Sequence, residues 1–163
     1  MARGSQMSLH IGLSAAAITF AADQALKLWM LSIFDLPGRG RVEVLPFLDL
    51  VMVWNRGISY GLFQQDTELG RAVLLAISAI ACGLLIYWLR QPMSRLQAVA
   101  LGLILGGAAG NAVDRARFGA VADFVLLHAG NFEWYVFNIA DAAIVVGVGV
   151  LLYGAVRREG RPA

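Results

Sequence analysis

Four stretches of this chain are each apolar over close to the roughly 20 residues that a helix needs to cross the hydrocarbon core of a bilayer. They run from about Leu9 to Phe34, Ala72 to Leu89, Leu96 to Val113 and Phe137 to Val156. Backbone polar groups in lipid have no water to pair with, so apolar runs of this length are expected to be helices of a multi-pass bundle. Composition agrees: 59% of the 163 residues are hydrophobic and 15% charged, against roughly 45–50% and about 25% in soluble domains. That balance excludes intrinsic disorder. A net charge of +2 with no basic run offers no footprint for nucleic acid. Cys82 stands alone, which rules out an intramolecular disulfide and a multi-cysteine metal site. The first stretch has Arg3 before it, as a secretory leader would. No small-residue cleavage site follows, however, and Asp23 and Lys27 interrupt the run, so it is expected to remain as a mature helix. Met1 to Gln6 carry no part of the reading.

The short loops set the expected orientation. Arg90 and Arg95 flank the turn between the second and third spans, Arg157, Arg158 and Arg161 follow the fourth, and Arg3 precedes the first. The positive-inside rule then puts both termini and the 90–95 turn in the cytoplasm, with the long connections 33–70 and 114–136 outside. Those connections are too long to be bare linkers. Arg41 to Asn55 is rich in Val, Leu, Phe and Trp and reads as two short strands turning near Pro46. Ala120 to Leu127 reads as a further strand, with a turn at His128-Ala129-Gly130-Asn131. The expected fold is thus a mainly α membrane protein, one domain over 1–163. It has four transmembrane helices and a small extracytoplasmic β-sheet resting on the outer membrane surface. No internal repeat or low-complexity segment interrupts it.

The polar residues gather at one depth. Asp23 and Lys27, four apart, share a helix face in the outer part of the first span. The third span ends in Gly106-Gly107-Ala108-Ala109-Gly110-Asn111, then Asp114 and Arg115, and the fourth begins with Asn138 and Asp141. Asp123 lies in the connection between them, and Asn55-Arg56-Gly57 in the first outer connection. Five segments therefore bring Asp or Asn to the outer boundary. Ionisable residues are costly at a membrane, so each is a candidate site residue. Plainer roles compete. Asp23 with Lys27 can be an ion pair anchoring a helix end, and Asp114 with Arg115 a charged helix terminus. Asn55, Asn111 and Asn138 can satisfy bared backbone groups, and Gly106, Gly107 and Gly110 most simply allow close helix packing. Cys82 reads as packing, His128 as a turn residue, and Trp29, Trp54, Trp88 and Trp134 as an aromatic belt. Asp123 and Asp141 resist such readings, being set among apolar neighbours without a local basic partner.

Two carboxylates forced together cannot both ionise, and they share a proton at neutral pH. The ionised member can take a proton from water while the protonated one polarises a carbonyl. The chain has no H-E-x-x-H run for zinc and no P-loop, so neither a metal nor any other cofactor is expected. A proton- or ion-coupled transporter subunit using Asp23, Asp114 and Asp141 is the alternative. Transporter sites typically lie near the midplane between repeats, whereas these acids cluster outward.

Taken in order, five motifs resemble those of lipoprotein signal peptidase (signal peptidase II), the bacterial aspartic endopeptidase of the inner membrane. They are Asp23-Gln24-Ala25-Leu26-Lys27, Asn55-Arg56-Gly57-Ile58-Ser59-Tyr60-Gly61, the run from Gly106 to Arg115, Val121-Ala122-Asp123-Phe124 and Phe137-Asn138-Ile139-Ala140-Asp141. The resemblance covers about residues 15 to 156. It implies cleavage of the signal peptide from prolipoproteins just before a cysteine that already carries diacylglycerol, with membrane lipid as the surroundings and no cofactor. It implies Asp123 and Asp141 as the catalytic pair, with Asp114 as the rival for one place. Asp23, Lys27, Asn55, Gly57, Asn111, Asp114, Arg115 and Asn138 become supporting or substrate-binding residues. Two departures stand out: Ala122 where the family usually has a second Val, and N-R-G-I-S in place of the commoner N-T-G-A. Oligomeric state and preferred precursors do not follow from the resemblance.

Overall fold

The computed structural model describes residues 2–57 and 67–159, with side chains from Gln6 to Gly57 and from Thr67 to Arg157. The Ile58 to Gly61 part of the second motif lies outside the described residues, as does Arg161. Four long helices correspond to the four apolar stretches: α1 (Ala2–Ser32), α3 (Glu68–Leu89), α4 (Arg95–Phe118) and α5 (Ile139–Glu159). Each is long and apolar enough to span a membrane. Between them lie α2 (Leu36–Arg39), β1 (Val42–Leu45), β2 (Leu48–Asn55), β3 (Val121–Ala129) and β4 (Phe132–Glu133).

Local chemistry fixes the ends. Ser94 opens α4 through a capping box with Gln97, satisfying backbone groups that the first helical turn leaves bare. Thr67 caps α3 by accepting from the Gly70 N–H. Gly119 closes α4 at φ 76°, a left-handed conformation that glycine adopts without Cβ strain, and the chain turns at once into β3. Because α4 runs on to Phe118, Asp114 and Arg115 sit inside the helix, beyond the expected end of the span at Val113. The short α2 was not expected. Its Leu36 is fully buried against Met30 and Phe124, which ties the foot of the sheet to α1.

Helix α4 lies at the centre and touches α1, α3 and α5. It is also the most enclosed of the four, while α3 and α5 leave most of their surface outward. Its glycines explain the close approach. A Cβ on Gly106 would lie 2.5 Å from the Ala16 carbonyl oxygen, and one on Gly107 2.5 Å from that of Ala140. Small residues at such crossings replace the hydrophobic drive that lipid does not supply. At the other end of the bundle Ala16, Leu85, Leu89, Ala98, Leu101 and Leu105 form the apolar core, with Cys82 packed against it as expected.

The strands form one antiparallel sheet in the order β1-β2-β3-β4. β1 and β2 are the expected hairpin around Pro46, and β3 is the expected third strand. His128 is a correction. It belongs to β3, paired with Glu133 of β4, and its Nε2 lies 3.3 Å from Asp49 Oδ1. Arg41 reaches Asp49 and Glu133, both at 2.6 Å, so one ionic cluster ties β2, β3 and β4 to the residue before β1. Burial pushes the Asp49 carboxyl up, but the hydrogen bond from Arg41 and the nearby His128 ring outweigh it and hold it below the usual carboxylate range. Trp29 and Trp54 are exposed at the sheet end of the bundle and Trp88 at the opposite end, while Trp134 is exposed on the sheet itself, an arrangement that fits an aromatic belt.

Gly106→Val is expected to destabilise the protein by about 1–3 kcal/mol or more, because the α1 backbone must move away. Gly149, whose Cβ position is open, is the control: Gly149→Ala should leave the melting temperature in detergent unchanged.

Candidate active site

All the expected polar residues converge at the sheet end of the bundle. Asp123 enters from β3, Asp141 from the first turn of α5, Asn111 and Asp114 from α4, Asp23 and Lys27 from α1, and Asn55 from the end of β2. Asp23, Lys27, Asn111, Asp114, Asp123 and Asn138 are buried, while Asn55, Arg115 and Asp141 are half-buried.

A chain of carboxamides joins Asp123 to Asp141. Asn138 donates its Nδ2 to Asp123 Oδ1 at 2.6 Å and to Asn111 Oδ1 at 3.1 Å, and Asn111 donates its Nδ2 to Asp141 Oδ1 at 2.8 Å. Asn55 donates to the other Asp123 oxygen at 3.0 Å. Asn138 also caps α5 reciprocally. Its Oδ1 accepts from the Asp141 N–H at 3.0 Å, while its own N–H donates to Asp141 Oδ2 at 3.3 Å. Among the described residues each oxygen of Asp123 and Asp141 thus accepts one hydrogen bond from a neutral group. A carboxylate oxygen has two lone pairs, so each keeps capacity for a water or a substrate. Burial, and then the nearby Asp141 carboxylate, push the Asp123 carboxyl up to about 7 against the bonds from Asn55 and Asn138. A carboxyl so placed can hold or release a proton near neutrality.

Asp114 is differently placed. Its oxygens accept from Lys27 Nζ at 2.8 Å, the Ala122 N–H at 3.2 Å and Gln24 Nε2 at 3.0 Å. The expected pairing with Arg115 does not form, because consecutive helical residues point about 100° apart. Arg115 instead donates to the carbonyls of Gly57 at 2.7 Å and Asn111 at 3.4 Å. The expected Asp23–Lys27 pair does form, at 2.8 Å. Lys27 also donates to Asn111 Oδ1 at 3.1 Å, and Asp23 Oδ1 accepts from the Ala140 N–H at 3.1 Å, in the first turn of α5. A Cβ on Gly110 would lie 2.5 Å from Asp23 Oδ2, so this glycine makes room for a carboxylate as well as for a helix.

One residue and one motif escaped the sequence reading. Gln24, inside the first motif, donates to Asp23, Asp114 and the Gly110 carbonyl. Its place next to Asp23 was the only signal. Gly57-Ile58-Ser59-Tyr60-Gly61 spells G-x-S-x-G, the letters of a serine nucleophile elbow, and runs past Gly57 into residues outside those described. An elbow needs a histidine base. The chain's two histidines are His10, on α1, and His128, which faces Asp49 in the sheet. Among the described residues no group of three His, Cys, Asp or Glu side chains is placed to hold a metal ion.

Two carboxyls linked through amides at the end of a four-span bundle, with donors and a sheet around them, define a multi-pass membrane enzyme equipped for acid–base chemistry. The family follows from comparison: residues 15–157 match the model of the signal peptidase (SPase) II family, and the chain belongs to that family, a family of aspartic-type proteases. A lipoprotein signal peptidase of Methylobacterium sp. (strain 4-46) is 56% identical over 153 residues, covering 94% of this chain and 93% of the relative. One from Nitrobacter hamburgensis is 54% identical over 154 residues, covering 92% and 94%. A solved bacterial membrane enzyme superposes with a TM-score of 0.80 at 24% identity, covering 91% of this chain and 89% of that one, which bears on the fold. Membership in a peptidase family displaces the transporter alternative.

Lys27 holds two carboxylates, so its loss leaves both uncompensated. Lys27→Met is expected to destabilise by about 3–5 kcal/mol. Asp23→Asn should cost less, and the double variant should recover only part of the loss because Asp114 stays unpaired. Full recovery to the wild-type melting temperature would show that Asp114 does not depend on Lys27.

Proposed function

We propose that this protein cleaves the signal peptide from diacylglyceryl-modified prolipoproteins immediately before the lipidated cysteine, with Asp123 and Asp141 as the catalytic pair. The observation that carries the assignment is the Asp123–Asn138–Asn111–Asp141 chain, which holds two carboxyls in one polar cluster without a cation on either among the described residues. The pair shares one proton, and that proton belongs to the pair rather than to one member. The ionised carboxylate takes a proton from water as the water oxygen attacks the scissile carbonyl, and the protonated partner gives its proton to the carbonyl oxygen. Collapse of the resulting diol breaks the C–N bond. The amine of the cysteine leaves with a proton from the acid that took one from water, and the other carboxyl recovers its own from the diol. The pair ends as it began, and no metal is needed.

Asp123→Asn and Asp141→Asn are each expected to lower kcat on a lipidated precursor peptide by at least about a hundredfold while helicity is retained. With the Asp123 carboxyl at about 7, the shared proton is lost as pH rises, so kcat should fall through and above neutrality. Wild-type turnover in either variant, or a rate flat from pH 6 to 9, would overturn the pair assignment.

The same proposal sets both termini in the cytoplasm of a bacterial inner membrane and the carboxyls at its outer face, where an exported precursor presents its lipidated cysteine. The arginines at 90, 95 and 157 support this. In a Cys82→Ala background, Glu43→Cys should react with a membrane-impermeant thiol reagent on cells with a permeabilised outer membrane, and Gln91→Cys should not. The reverse pattern would put the pair in the cytoplasm.

A further inference from the structure

At the end of the bundle away from the carboxyls, the turn from α3 to α4 leaves a crevice of about 300 Å³. Trp88, Met93, Leu101 and Leu151 give it apolar walls, and Gln91 and Gln97 also line it. The crevice lies between the last turn of α3, the first turns of α4 and the later part of α5, among segments that span the membrane. Arg90 and Arg95 flank Gln91, Pro92 and Met93 of its lining along the chain, Arg157 follows Leu151 on α5, and all three are exposed. Arg95 lies against the Met7 sulfur at 3.7 Å, and Arg157 over the Tyr153 ring at 6.0 Å; neither partner is an anion. The acids Asp23, Asp114, Asp123 and Asp141 all lie at the other end, and Glu159 is the carboxylate that the sequence brings nearest to this one.

We infer that this crevice is a binding site for an anionic phospholipid, with an acyl chain against Leu101 and Leu151 and the phosphate among the arginines. Three features argue for a lipid over other occupants. The walls are apolar, as an acyl chain requires. The crevice lies at the end of the spans, where Trp88 marks the headgroup level. The charged residues next to its lining in the chain are arginines, and basic pockets between spans on the cytoplasmic side, where the proposed orientation puts this end, suit acidic headgroups. The guanidinium fork matches phosphate oxygens, and an arginine stem can lie along apolar surface while its head stays in water. The inference rests on the orientation proposed above and its folding check on the proposed cleavage, but none of these residues belongs to the carboxyl cluster.

The test uses the full chain in neutral detergent, with thermal shift and native mass spectrometry as readouts. Phosphatidylglycerol is expected to raise the melting temperature saturably and to be retained as a 1:1 adduct. Phosphatidylcholine with the same chains, and inorganic phosphate alone, should do neither. Arg95→Gln and Arg157→Gln should each weaken the response roughly five- to tenfold. Leu151→Phe, which narrows the crevice and leaves the charges in place, should weaken it too, with precursor cleavage retained in all three as the check on folding. Equal stabilisation by phosphatidylcholine would overturn the headgroup assignment, and a full response to phosphate alone would overturn the lipid. If Leu151→Phe cleaves precursor and still binds phosphatidylglycerol as wild type does, the crevice is not the site.

Discussion

The buried ammonium of Lys27 is the interaction on which the rest depends. Its Nζ lies 2.8 Å from both Asp23 and Asp114 and 3.1 Å from Asn111 Oδ1. Two of those partners reach on to other elements, Asp23 to the start of α5 and Asp114 to the backbone of Ala122 at the start of β3. One cation on α1 thereby aligns α4, α5 and the sheet. The third partner matters in another way. Because Asn111 Oδ1 already accepts from Lys27 and Asn138, its amide nitrogen must face Asp141. The charge thus acts on the proposed pair through the orientation of a neutral amide and need not touch either member.

The structure also separates two kinds of buried carboxylate by what surrounds them. Asp23 and Asp114 share a cation and serve as anchors. Among the described residues the oxygens of Asp123 and Asp141 accept bonds from neutral groups alone, which leaves them open to take on a water. The Asp123 carboxyl, pushed up to about 7, can gain or lose a proton near neutrality. The environment distinguishes Asp114 from Asp123, nine residues apart in the chain.

Much of this was legible before any coordinates. Four apolar runs define four helices because lipid tolerates little else. The depth of the acids follows from counting along those runs, and the Asp23–Lys27 pair from a spacing of four. What failed did so where the partner lay far off in sequence. Asp114 and Arg115 are adjacent, yet each side chain leaves the helix in its own direction and finds a remote partner. His128 sits beside Gly130 and Asn131, which read as a turn, but pairing with β4 and the Asp49 carboxylate draws it into the strand. The asparagines gave the least away. Asn111 and Asn138 read as caps for bare backbone, which Asn138 is, but no periodicity shows that the two amides form one line between two acids.

The bond from the Ala140 N–H to Asp23 bears on how the molecule is made. It joins the first long helix to the last, and Asp141 lies one residue further on. Once the first three spans and β3 have emerged, Asp123 stands without its partner and Asn111 without the acid it faces. The pair is completed only when the final helix takes its place. On the proposed assignment, a nascent chain is inert as a hydrolase until its last helix is inserted.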